Sequence, residues 1–126
     1  MINAGLRGEL RNLIAGFVAN MSVMTAEMEA AVEGGRRGGV ASVEAWELLR
    51  TVTHRISGSG ASFGFTEIAA IARRIDLHAE ATLAAGAEAA AITPPWDDPD
   101  VTRDLPALRR LVDGAEPKDS PLYPAE

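Results

Sequence analysis

Apolar residues recur along this chain at steps of three and four, the period of a helix with one buried face. Leu6, Leu10, Leu13, Ile14, Phe17, Met21, Met24 and Met28 form the first such stripe, predicting a long helix from about Leu6 to Glu33 that Gly34, Gly35, Gly38 and Gly39 end. Ser42 as N-cap and Glu44 in the first turn open a second helix through Trp46, Leu49, Val52 and Ile56 toward Gly60 or Ser62. A break follows at Phe63-Gly64-Phe65, whose two rings are expected to plug the end of the core. Thr66 as N-cap then starts a third helix on Ile68, Ile71, Ala72, Ile75, Ala79 and Leu83, and an alanine-rich tract can extend it to Ala91.

Thr93-Pro94-Pro95-Trp96-Asp97-Asp98-Pro99 cannot continue that helix, because proline removes a backbone donor and clashes with the preceding turn. A short fourth stripe, Leu105, Leu108, Leu111 and Val112, is closed by Gly114 and Pro117. No segment alternates as a strand would. The pattern predicts an all-α protein, an antiparallel four-helix bundle with a long N-terminal helix, over residues 1–116, followed by a C-terminal tail, 117–126, expected to be mobile.

A chain of 126 residues can bury roughly two-thirds of its unfolded surface without staples. It has no cysteine, which excludes disulfides, thiolate metal sites and a cysteine nucleophile. The net charge of −6 and the absence of a long basic tract give no footprint for nucleic acid. No signal peptide or membrane-spanning stretch is read, so a cytoplasmic protein without a membrane partner is expected. His54 and His78 are 24 residues apart with no metal-ligand spacing, so no metal site is expected, and His78 is read as a flank position. Gly58-Ser59-Gly60-Ala61-Ser62-Phe63-Gly64 lacks the lysine and the spacing of a phosphate-cradling loop.

The chemistry concentrates on His54. At about 100° per residue, Ala45, Leu49, Val52 and Ile56 point roughly 140° to 180° away from it, which puts the imidazole on the water side of the second helix. Its neighbours on that face, within about 60°, are Glu47, Arg50, Thr51, Ser57, Gly58 and Ala61, all polar or small. Ser59 is turned about 140° away and is read as a structural residue of the packed side. Glycine inside a helix costs about 0.5 to 1 kcal/mol relative to alanine. Gly58 therefore either marks the helix end or clears room beside the ring, and Gly60 belongs to packing or termination.

His54-x-x-x-Gly58-Ser59, followed by Phe63-Gly64 and an arginine-bearing amphipathic helix, resembles the histidine-containing phosphotransfer (HPt) domain, and the order of the helices matches that family over most of the chain. The resemblance implies a bundle whose exposed histidine, here His54, accepts a phosphoryl group from the aspartate of a response-regulator receiver domain and passes it to another. It implies receiver domains and a hybrid histidine kinase as partners, no cofactor on this chain, and Mg²⁺ on the receiver. A phosphocarrier rather than a stand-alone enzyme is implied, and a monomer is expected. The family commonly places a lysine three residues after the histidine, where this chain has Ser57, which carries no charge. Arg50 and Arg55 are the candidates to replace that charge, and Ser57, Gly58 and Ala61 complete the expected phosphate and partner surface. The alternative is a degenerate module that binds a receiver or kinase and regulates it without phosphotransfer. A third possibility is a helical assembly protein that dimerises through its apolar stripes.

Overall fold

The computed structural model describes residues 3–125. Four long helices, α1 (Ala4–Arg36), α2 (Ser42–Phe63), α3 (Thr66–Ala84) and α5 (Pro99–Asp113), form an antiparallel bundle, and a six-residue α4 (Ala87–Ile92) lies in the connection between α3 and α5. There is no strand among the described residues. The all-α bundle with a long N-terminal helix is thus the observed architecture. Around the bundle α1 touches α2, α2 touches α3, α3 touches α5 and α5 returns to α1, with the most extensive contact between α2 and α3.

The core is drawn from the expected stripes. Ile14, Met21, Met28, Ala45, Trp46, Leu49, Ile56, Ala72, Ala79 and Leu108 are completely buried, and burial of side chains of this size contributes about 1.5 to 3 kcal/mol for each large one. Phe63 and Phe65 close one end by packing on Phe17, with ring centroids 5.1 and 6.0 Å apart. Leu6 and Leu13, placed on the buried stripe by periodicity, are 52% and 60% exposed: Leu13 is turned about 100° around α1 from the fully buried Ile14, and Leu6 lies in the first turn of the helix.

Several boundaries differ from the expectation. α1 continues through Gly34 and Gly35, and the turn falls at Gly38, where φ is +85°. Gly35 is a seat for Trp96, whose ring occupies the place a Cβ would take. The side chains of Ser42 and Thr66 make no capping bond: Ala41 and Phe65 precede the two helices, and the Ser42 hydroxyl instead donates to the Ala90 carbonyl. Gly86, at φ +107°, separates the alanine-rich tract from α3 as α4. α5 begins earlier than its stripe suggested, because the Asp98 carboxylate accepts from the amides of Asp100 and Val101 and Pro99 fills the first helical position.

α2 ends in a Schellman motif: Gly64 is left-handed (φ +85°), the Phe65 amide donates to Gly60 O at 2.8 Å and the Gly64 amide to Ala61 O at 3.1 Å. This tight reversal lays α3 against α2. The expected tail is packed onto the same end. The Ser120 hydroxyl donates to the Phe63 carbonyl, Pro121 sits against Gly64, and Tyr123 packs on the core.

Candidate functional site: the imidazole on the α2–α3 seam

His54 stands halfway along α2 with its side chain 78% exposed. The residues that turn it outward are the ones the wheel placed inward: Leu49, Val52 and Ile56 are buried on the opposite side of the helix. Beside it Thr53 is buried, and its hydroxyl donates to the Leu49 carbonyl at 2.6 Å, so the polar group on the packed side is satisfied within α2. The imidazole is not enclosed by the protein's own side chains.

One edge of the ring is held. Nδ1 lies 3.0 Å from Oδ2 of Asp76, a side chain of α3 that is only 7% exposed. A carboxylate can only accept, so in the neutral ring the proton sits on Nδ1 and the lone pair on Nε2, directed to solvent. The arrangement fixes the tautomer, orients the ring and leaves one nucleophilic nitrogen.

Asp76 is the residue of this candidate site that reading from the sequence missed. Its signal was present: one position after Ile75 and one turn from Ala72 and Ala79, it is a carboxylate at the edge of a buried stripe, where charges occur when paired. What the sequence lacked was the partner, which lies 22 residues earlier on another helix.

The other expected site residues share the outer face of α2. Arg50 and Arg55 are exposed, and neither makes an ion pair among the described residues. Gly58 and Ala61 are exposed, and a Cβ added at Gly58 would meet no atom within 4 Å. Ser57 is half-buried, and its hydroxyl donates to the His54 carbonyl at 3.2 Å. Gly60 is a packing residue: a Cβ there would lie 3.5 Å from the Ala69 Cβ on α3. Ser59 is exposed, not on the packed side as expected, because the last turns of α2 pack through Ile56, Gly60 and Phe63.

Most of the remaining arginines are neutralised at home. Arg74 and Arg103 both bind Asp104, Arg109 binds Glu29 and Asp113, and Arg36 and Arg37 reach Glu33. Hydrogen bonds from Arg103 and then Arg74 hold the Asp104 carboxyl well below its ordinary range, at about 2.

His78 is not the idle flank residue that was expected. Its Nε2 is 2.9 Å from Asp98 Oδ2, Nδ1 is 3.6 Å from Asp100 Oδ2, and its ring meets Trp46 edge-on at 5.5 Å. His78, Asp98 and Asp100 form the one group among the described residues that could hold a metal ion. Asp98 already spends Oδ1 on the first amides of α5, and the cluster reads as a tether between α3 and α5.

The chain matches the model of the Hpt domain family over residues 12–116, and it belongs to that family. Domains of this kind are the histidine phosphotransfer modules of two-component systems and interact with receiver domains and histidine kinases. No match is found among curated proteins or among solved structures. No helix among the described residues is long and apolar enough to cross a membrane.

Proposed function

We propose that this protein is a phosphocarrier of a phosphorelay, with His54 as the residue that holds the phosphoryl group between receiver aspartates. The observation that carries the reading is the exposed imidazole whose Nδ1–H is tied to the buried carboxylate of Asp76. Nε2 then attacks the phosphorus of an incoming aspartyl phosphate; the P–O bond to the aspartate breaks, and its electron pair stays on the departing carboxylate. No proton has to leave for the N–P bond to form. The ring becomes a phosphoryl-imidazolium, and the Asp76 carboxylate balances its positive charge. Onward transfer reverses these steps on a second receiver.

In this division of labour the bundle positions a nucleophile, and the receiver brings an acidic pocket and Mg²⁺ to clamp the phosphoryl oxygens. A receiver domain and a hybrid histidine kinase are the partners we assign, with the protein acting as a monomer in the cytoplasm. Gly58 and Ala61 leave the approach to Nε2 unobstructed.

Incubation with a phosphorylated receiver is expected to place an acid-labile, alkali-stable label on the unsubstituted protein and none on His54→Gln. Label on the variant would overturn the assignment. Ser57, uncharged and bonded back to its own helix, favours a second reading in which the module docks on a receiver or kinase without carrying phosphate. Receiver binding without transfer, unchanged by His54→Gln, would select that reading.

A further inference from the structure

A phosphoryl group on Nε2 brings close to two negative charges to a protein of net charge −6, and the positive ring is already balanced by Asp76. A cation beside the phosphoryl oxygens would stabilise them. Beyond His54, in the direction of the Gly64 turn, the outer face of α2 supplies none: Ser57, Gly58 and Ala61 are uncharged, and the Ser57 hydroxyl is engaged with the His54 carbonyl. Arg55 lies about 100° around the helix from His54, on the side away from α3. Arg50 is one turn back.

The register of the α2–α3 seam points elsewhere. His54 faces Asp76, and six residues along α2 Gly60 faces Ala69, seven residues back along α3. In an antiparallel pair a step forward on one helix is matched by a step back on the other, so Ser57 lies level with Arg73. By the same register Arg50 lies level with Glu80, with which it makes no ion pair. Around α3, Asp76 and Ala69 point in nearly the same direction, toward α2, and Arg73 is turned about 60° from Asp76 to the outer rim of the seam. Arg73 is exposed and makes no ion pair among the described residues, whereas its neighbour Arg74 is committed to Asp104 through bonds of 2.8 and 3.3 Å.

We infer that Arg73, from the neighbouring helix, supplies the positive charge that binds the phosphoryl oxygens on His54. Its planar guanidinium can donate two parallel hydrogen bonds to them. The charge missing from position 57 is thereby provided across the seam at the same level. This rests on the phosphocarrier reading above.

The test uses phosphoramidate as a small phosphodonor, so that partner docking does not enter. Its P–N bond breaks, ammonia leaves with the electron pair and the phosphoryl group passes to Nε2. Arg73→Gln is expected to slow labelling of His54 by about tenfold, the size of a lost charge-assisted hydrogen bond. Arg73→Lys should retain most of the rate, and Ser57→Lys added to Arg73→Gln should restore it, which loss of a merely structural residue would not allow. Arg110→Gln, which removes another arginine without an ion pair but on α5, should leave the rate unchanged. An Arg73→Gln rate within about twofold of the unsubstituted protein, or failure of Ser57→Lys to restore it, overturns the inference alone. If the unsubstituted protein takes no label on His54 from phosphoramidate or from a receiver, the phosphocarrier reading falls and this inference with it.

Discussion

At the scale of single residues, the proposed phosphocarrier site is a nucleophile made by subtraction. On that reading His54 needs nothing added to be reactive; it needs its other nitrogen occupied and its surroundings kept small. Asp76 does the first. Replacing it by asparagine keeps an acceptor for Nδ1–H and removes the charge that would balance the proposed phosphoryl-imidazolium. Transfer from a receiver is therefore expected to slow by about tenfold while the helical circular dichroism is unchanged. Asp76→Leu, which also releases the tautomer, should cost more, and loss of the Nδ1–H signal in nitrogen-15 NMR of the ring would show the cause. Gly58 does the second. Since a Cβ there meets nothing in the free protein, Gly58→Ala should stabilise the fold by about 0.5 to 1 kcal/mol. Gly58→Leu should fold as well yet transfer poorly, because only a docked partner feels the bulk. A normal transfer rate in that variant would remove the steric role from this glycine.

At the scale of elements, the α2–α3 hairpin is what brings His54 and Asp76 together, and its geometry depends on one residue. Gly64 combines φ of +85° with contact against Pro121. Any side chain there pays about 1–2 kcal/mol for the left-handed backbone and meets the proline ring as well. Gly64→Ala should lower the urea midpoint by the equivalent of at least about 1 kcal/mol with an unchanged m-value. The break at Phe63-Gly64-Phe65 was readable because glycine between two apolar residues is a strong terminator. The capping roles given to Ser42 and Thr66 were not, because a hydroxyl at a helix start chooses between its own amides and whatever lies opposite, and Ala90 lies opposite Ser42. The same limit applies to Gly35, whose partner Trp96 lies far along the chain, beyond α3.

At the scale of the whole molecule, charge is organised so that α5 is fastened by buried or half-buried carboxylate contacts, while the seam carrying His54 keeps cations without partners. Asp104, 3% exposed, joins α5 to α3 through Arg74. Its carboxyl is held at about 2 against an ordinary 3.8, so the contribution to stability is complete above the ordinary value and lost as pH falls through the folded one. Acid unfolding between about pH 4 and pH 2 should therefore be less steep in Asp104→Asn, with a difference of about 1–2 kcal/mol after screening by water around the exposed arginines. Equal acid profiles would mean that the cluster does not fasten the bundle.

The helices, their buried faces and the outward direction of His54 were legible in the sequence, because periodicity reports which side of each helix meets the core and local turn chemistry reports where each helix stops. Asp76 as the partner of the ring, the level of Arg73 beside Ser57, the seat for Trp96 and the packing of the tail were decided by the tertiary structure. Each depends on the register between two helices, which is set by packing across a seam and leaves no periodic trace in either strand of sequence alone.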